Sequence, residues 1–246
     1  MQVIQINDSS VIVSALYSLL VDSSETGLDQ VMDCYPTMRW QEDGKEKSEI
    51  QNKYFLMFNE TKVQRSKEDI VEERKWRKWV DEEFVHSLSP NVYRTPSEAL
   101  AAFQWFSEVG RWSEIFSPWE RYLVIYFGAA VMWLLSKRLK KRHNLKDDVR
   151  QSFYDQLNFW LKTIQKKGTT YLGGSSPNLA DLAVFGALTA VEGCEAFQGK
   201  YSYKVTMLKY LPYLLIVADA RLNTKIGTWF DSMKNVVGER EGKILL

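Results

Sequence analysis

The sequence contains very little cysteine and histidine. Of its 246 residues two are cysteine, Cys34 and Cys194, and two are histidine. The cysteines lie far apart and form no Cys-x-x-Cys pair, which argues against a disulfide framework, a zinc site and a dithiol redox centre. This cysteine usage predicts reduced thiols in an intracellular protein, and no metal site is predicted.

An excess of one charge and a long apolar run are also lacking. Lys and Arg number 32 against 31 Asp and Glu, so the net charge is +1 and no overall field favours nucleic acid as a partner. No basic region precedes an apolar segment at the N-terminus, so no secretory signal is predicted. The longest apolar run, 122–135, is shorter than the roughly 20 residues that cross a bilayer. These absences predict a soluble chain without a transmembrane segment.

Apolar residues are plentiful, at 45% with 9 Trp, 12 Tyr and 12 Phe, and they mostly follow a helical period. The only predicted strand is Gln2–Ile6. A polar surface excursion is predicted over about 37–73, with a turn at Asp43-Gly44. Helices are predicted after residue 10, from 72 to about 88, after Thr95, and over 122–139, 147–166, 179–193 and 224–237. The fold class is therefore all-α, with a vestigial N-terminal strand.

Residues 173–188, GGSSPNLADLAVFGAL, combine a helix start with a long apolar segment. Asn178 at the N-cap and Asp181 three residues later form a capping box ahead of a helix that is apolar on nearly every side. On these residues alone an ordinary capped core helix is an equal interpretation. The pattern resembles the central helix of the glutathione transferase C-terminal domain, and it implies a helical bundle of that kind.

Three further blocks carry a closer resemblance. Residues 76–81 (WRKWVD), 85–100 (VHSLSPNVYRTPSEAL) and 127–143 (FGAAVMWLLSKRLKKRH) resemble the helical half of the membrane-associated prostaglandin E synthase type 2 family. The resemblance implies that 1–22 is the end of a truncated thioredoxin-like domain. It implies that 23–246 is a transferase-like helical domain, with an insertion at about 37–73 and an unmatched one at about 200–218.

The resemblance also implies a function. Members of the family isomerise prostaglandin H, a lipid-derived small molecule, to prostaglandin E, and glutathione and haem are associated with them. They form homodimers and associate with Golgi, other endomembrane or mitochondrial membranes through segments N-terminal to those seen here. The family's Cys-x-x-Cys dithiol has no counterpart in this sequence, so no catalytic residue is assigned and the chain alone is expected to be inactive. The alternatives are a non-catalytic dimerisation or protein-binding module and, with less support, a conjugating glutathione transferase.

Asp8 and Ser9 match the family motif that contacts the γ-glutamyl end of glutathione. A helix N-terminus offers N–H donors and a partial positive charge to a carboxylate, and an aspartate favours an ammonium group. The structural alternative is that Asp8 simply caps the following helix. Asp8 and Ser9 are the predicted cofactor-binding residues.

The remaining polar candidates have structural alternatives. His86 falls near an apolar stripe and is expected in the core rather than as a haem ligand, while His143 is expected to be exposed. Cys194 is expected to pack inside the protein, because the nearby helix end disfavours a thiolate. For the basic cluster 137–142 a solvated helix end competes with a peripheral contact to anionic lipid. The aromatic stripes at Trp76, Trp79 and 122–133 are expected to pack in the core, or else to line a lipophilic cavity.

Overall fold

The computed structural model describes residues 6–21, 27–57, 65–142, 148–198 and 224–238. The predicted strand at 2–6, except Ile6, and the unmatched segment 200–218 lie outside these ranges. The chain divides into two compact units, Met1–Lys78 and Trp79–Leu246. The division predicted at residue 22 refers to the family's domains and stays a prediction.

The described part of the first unit contains three helices and a β-hairpin. The elements are α1 (Ser9–Val21), α2 (Leu28–Asp33), β1 (Thr37–Glu42), β2 (Lys45–Ile50) and α3 (Lys67–Trp79), which ends at the boundary. The core is formed by Val11 and Ala15 of α1 with Val31 and Tyr35. Ser14 and Ser18 lie on the same buried face of α1. The Ser14 hydroxyl donates to the Lys53 carbonyl, and the Ser18 hydroxyl accepts from the Met57 N–H. A polar segment far along the chain is thereby fixed to α1.

The hairpin was not predicted by the sequence. Its two antiparallel strands pair from Thr37 with Ile50 to Glu42 with Lys45, and Asp43 and Gly44 at the turn both have positive φ, 52° and 71°. That backbone is typical of the tight turns that join β-strands. Nearly every strand residue is exposed, so neither face required an apolar row and the period-two signal is absent. Helices still dominate the described residues, which confirms the predicted fold class.

In the second unit, the regular elements among the described residues are helices. It begins with a π-helical segment (Val80–Phe84) that runs directly into α4 (Val85–Val92). The other helices are α5 (Pro96–Val109), α6 (Trp112–Ile115), α7 (Pro118–Arg142), α8 (Val149–Lys167), α9 (Leu179–Thr189), α10 (Glu195–Gln198) and α11 (Ile226–Val237). α4 packs against α7 and α8, and α5 packs against α7. Fully buried aromatic and aliphatic side chains fill the interior: Phe84, Phe153, Leu157, Trp160, Leu188, Phe230 and Met233.

Most helix starts agree with the sequence, while several helix ends differ. Thr95 caps α5 as predicted, with its hydroxyl accepting from the Glu98 N–H at 3.1 Å and proline at the first helical position. α4 continues through Pro90 to Val92 instead of ending at about residue 88 as predicted. α9 ends at Thr189, four residues before the predicted 193. α7 begins at Pro118, four residues before the predicted 122, because the Glu120 carboxylate accepts from the Ser117 N–H and sets an earlier start. It ends at Arg142, within the basic cluster 137–142 in which its end was predicted.

Candidate functional site

Asp8 lies immediately before α1, and its carboxylate caps that helix. Oδ1 accepts hydrogen bonds from the backbone N–H groups of Ser10 at 2.9 Å and Val11 at 3.1 Å. A helix start otherwise leaves these donors without a partner. The capping role considered from the sequence is therefore confirmed. Both capping hydrogen bonds go to Oδ1, so Oδ2 takes no part in the cap.

Lys53 approaches that second oxygen. Its Nζ lies 3.8 Å from Asp8 Oδ2, and both side chains are partly exposed, at 21% and 30%. The Ser14 hydroxyl donates to the Lys53 carbonyl at 2.6 Å and holds this backbone against α1. Sequence reasoning missed Lys53, because it lies in the polar segment after the hairpin and no local pattern connects it to Asp8.

Ser9 is the first residue of α1 and is exposed to solvent. Ser9 thus directly follows Asp8 at the helix start, and the Lys53 ammonium group lies beside the Asp8 carboxylate. This set is suited to a small zwitterion: Ser9 and Lys53 would contact a carboxylate, and Asp8 would contact an ammonium group. The structure brings the two predicted residues together and adds a cation that was not predicted.

The capping box of α9 forms as predicted, and its Asp181 carboxylate also binds the loop that precedes the helix. Asn178 Oδ1 accepts from the N–H groups of Ala180 at 3.0 Å and Asp181 at 3.1 Å. The fully buried Asp181 carboxylate accepts from the N–H groups of Asn178, Leu172 and Gly173, each at 3.0 Å. Burial raises the pKa of Asp181, and the three backbone donors oppose that effect. The arrangement fixes a loop and offers no open site.

Cys194 is not arranged as a nucleophile. Cys194 is 2% exposed, and burial raises the pKa of its thiol to about 12, so the thiolate is disfavoured. This confirms the packing role expected for Cys194. Cys34 is a free, half-buried thiol at the end of α2 that donates to the Gln30 carbonyl at 3.5 Å.

The described residues do not identify a haem ligand. His86 on α4 is half-buried rather than fully in the core, and His143 lies outside the described residues. Cys194 is enclosed, and its thiol does not ionise readily. Across the described ranges no cluster of three or more His, Cys, Asp or Glu side chains is placed to hold a metal ion.

The aromatic stripes differ from one another. Trp76 is buried, and Trp79 stacks on Phe84 with ring centroids 5.2 Å apart, so both pack as expected. The stripe at 122–133 does not pack as expected, because Tyr122 and Tyr126 are more than half exposed. Its side chains point away from the helices against which α7 packs, which the sequence did not reveal.

Two curated proteins align with most of the chain. Prostaglandin E synthase 2 of Mus musculus is 48% identical over 197 residues, which cover 78% of this chain and 50% of that protein. The chain belongs to the prostaglandin E synthase 2 family. Prostaglandin E synthase 2 of Danio rerio is 45% identical over 198 residues, covering 79% of the chain and 51% of that relative. The family resemblance drawn from the three sequence blocks is thereby confirmed. The chain spans about half the length of these relatives, and no protein-family model matches it.

Proposed function

We propose that this chain is the helical part of a prostaglandin E synthase 2-type isomerase, which converts prostaglandin H to prostaglandin E. The observation that supports this is identity of 45% and 48% to two curated synthases over about four fifths of the chain. The substrate class is a lipid-derived small molecule.

Residues 1–246 alone are not expected to catalyse this reaction. Isomerisation of an endoperoxide requires one group that attacks or polarises the O–O bond and another that removes a proton from carbon. A thiolate is the natural choice for the first, yet Cys194 is enclosed with a raised pKa. Cys34 stands in no dithiol pair. The family's activity therefore requires groups outside the residues of this chain.

Incubation of the purified chain with prostaglandin H, glutathione and haem tests the proposal. We expect prostaglandin E to form at the rate of buffer containing the same additives. The mouse relative is the positive control under the same conditions. Formation by the chain well above the buffer rate would contradict the expected inactivity.

We also propose that Asp8, Ser9 and Lys53 form one corner of a glutathione site. The γ-glutamyl end of glutathione carries both an ammonium group and a carboxylate. The Asp8 carboxylate would contact the ammonium group, and the Ser9 hydroxyl and the neighbouring Lys53 ammonium group would contact the carboxylate. The residues fit this end of the tripeptide only, because the described chain shows no second set of groups for its remainder. When bound, glutathione would supply the thiol.

Titration calorimetry with glutathione measures the affinity that these three residues provide. We expect no binding at sub-millimolar concentrations by the chain alone, since one end of a flexible tripeptide yields little affinity after its ordering cost. Asp8→Ala combined with Ser9→Ala is the matched variant for any weak signal. Sub-millimolar binding that survives both substitutions would show that the ligand lies elsewhere.

A non-catalytic binding module is the second candidate, and the outer face of α1 favours it. Leu16 and Leu20 are 53% and 80% exposed, and Ile12 and Val13 extend the same apolar face. Such a face is suited to cover by a further domain or by a second copy of the chain. We propose self-association through α1, and light scattering tests it: Leu16→Ser with Leu20→Ser should convert a dimer to a monomer. A wild-type monomer would contradict this candidate.

A further inference from the structure

α7 carries a row of large apolar side chains on its outer surface. We name this row the α7 stripe. Each member is between 54% and 67% exposed: Trp119, Tyr122, Leu123, Tyr126, Phe127 and Leu134. Their spacing of three and four residues places them along one side of the helix. The inner side carries Ile125, Ala129 and Ser136, which are buried.

Burial on α7 is low for a helix of this composition. It has 25 residues, and its most apolar 18-residue window has a mean hydropathy of 1.3 with only 17% of the window buried. By length and composition alone α7 could cross a membrane. Its inner side, however, packs against α4 and α5, and the Ser136 hydroxyl donates to the Tyr93 carbonyl at 2.9 Å. A spanning orientation would break these contacts, whereas a surface orientation keeps them.

The stripe leads directly into a cationic helix end. Lys137, Arg138, Lys141 and Arg142 are exposed, and Lys137 and Lys141 continue the direction of the stripe. From Arg121 to Arg142 the helix has no acidic residue. Cations at a helix C-terminus also complement the helix dipole, but that effect does not account for six exposed apolar side chains in line with them.

A cavity borders this cationic end. It has a volume of about 500 Å³ and is lined by Arg94, Lys137, Lys140, Ser136 and Asp148, among others. Arg94 is ion-paired with Glu98, and the Ser136 hydroxyl donates to the Tyr93 carbonyl. Lys137 and Lys140 are therefore the two cations of the lining that are suited to a phosphate group, against the Asp148 carboxylate. Lys137 also stands over the Trp133 ring at 4.0 Å, so an amphipathic aromatic lies beside the cation.

We propose that the α7 stripe docks on the surface of a bilayer that contains anionic lipid, with the helix axis parallel to the membrane plane. The apolar side chains enter the headgroup and acyl boundary, and the cationic end contacts lipid phosphates. This inference does not depend on the proposed isomerase function.

Charge complementarity favours a bilayer over a second copy of α7. Parallel pairing of two stripes would place the two cationic ends against each other. Antiparallel pairing would place each cationic end beside Trp119, where Glu120 is the single acidic residue on the helix. An anionic membrane neutralises all of these cations and covers the apolar residues at the same time.

Vesicle flotation of the full chain tests the proposal. Vesicles of phosphatidylcholine with about 30% phosphatidylserine are compared with phosphatidylcholine alone. Each exposed cation near an anionic surface contributes about fivefold to partitioning at modest ionic strength. We therefore expect wild-type binding at least tenfold stronger on the anionic vesicles, falling as salt is raised.

Two double variants locate the contact on α7. Arg138→Glu with Lys141→Glu should lower binding to anionic vesicles by at least about 25-fold. Leu123→Gln with Phe127→Gln should lower binding to both kinds of vesicle by at least about tenfold. The matched controls carry the same kinds of change at exposed positions elsewhere. Lys162→Glu with Lys166→Glu reverses two charges, and Val71→Gln with Val236→Gln replaces two apolar side chains by glutamine. The controls should bind like the wild type.

Several results would overturn the proposal. Equal flotation on both kinds of vesicle would remove the electrostatic contact, and absence of flotation would remove the membrane contact altogether. Binding by the α7 variants at the level of their controls would place the contact elsewhere. A dimer without lipid that Leu123→Gln with Phe127→Gln dissociates would show that a second copy covers the stripe. Circular dichroism and unfolding midpoints equal to those of the wild type establish that each variant is folded.

Discussion

Asp181→Ala is expected to destabilise the unit Trp79–Leu246 by about 4 kcal/mol. The substitution removes the acceptor of three backbone N–H groups at once, those of Leu172, Gly173 and Asn178. A donor left without a partner at a buried position costs about 1–3 kcal/mol, and the N–H group of Leu172 is fully enclosed. The capping box of α9 is lost in the same step.

Urea unfolding followed by circular dichroism measures this effect. Glu83→Ala, which removes an exposed carboxylate in the same unit, is the matched control and should change the free energy of unfolding by less than about 0.5 kcal/mol. Asp181→Asn should be nearly as costly as alanine, because its amide NH₂ would face a backbone donor. If Asp181→Ala unfolds at the midpoint of the control, the buried carboxylate does not hold the loop.

Arg77→Met is expected to cost about 3 kcal/mol in the unit Met1–Lys78. The Arg77 guanidinium is buried and donates to the Ser10 carbonyl at 2.9 Å, the Ser14 hydroxyl at 2.8 Å and the Tyr54 carbonyl at 3.3 Å. These bonds join α3 to α1 and to the segment that follows the hairpin. Methionine retains much of the volume and provides no donor, and hydrogen bonds to a charged group are worth about 1.5–3 kcal/mol each.

Hydrogen exchange of the α1 amides is the appropriate readout, because it reports on this unit alone. Protection of α1 should fall by about 100-fold in Arg77→Met, which corresponds to about 3 kcal/mol. Lys75→Met, an exposed neighbour on the same helix, should leave protection unchanged. Equal protection in both variants would mean that the Arg77 hydrogen bonds contribute nothing net.

Helix starts could be predicted from the sequence where the capping contacts join residues close together in the chain. The Thr95 cap with Pro96 and the Asn178–Asp181 box were both predictable, since each joins atoms within four positions along the chain. The hairpin was not, because its strands are exposed on both faces and carry no apolar alternation. Asp43 and Gly44 predicted the turn, but no pattern in the flanking residues predicted the two strands.

In the candidate site, too, the sequence predicted neighbouring residues but not a contact between distant ones. Asp8 and Ser9 are adjacent and match a motif, so they were predictable. Lys53 is held against Ser14 by a contact across 39 positions, which periodicity cannot detect. The α7 stripe is a further example, because a helix that is apolar on every side resembles a core helix until its neighbours are known.

We propose above that this chain is the helical portion of an isomerase whose activity needs residues outside this sequence. A chimera joins the part of the mouse relative that lies outside the matched region to this chain, and prostaglandin E formation from prostaglandin H is measured beside the chain alone. We expect product from the chimera and only the buffer rate from the chain. A folded chimera at the buffer rate, or an active isolated chain, would contradict it.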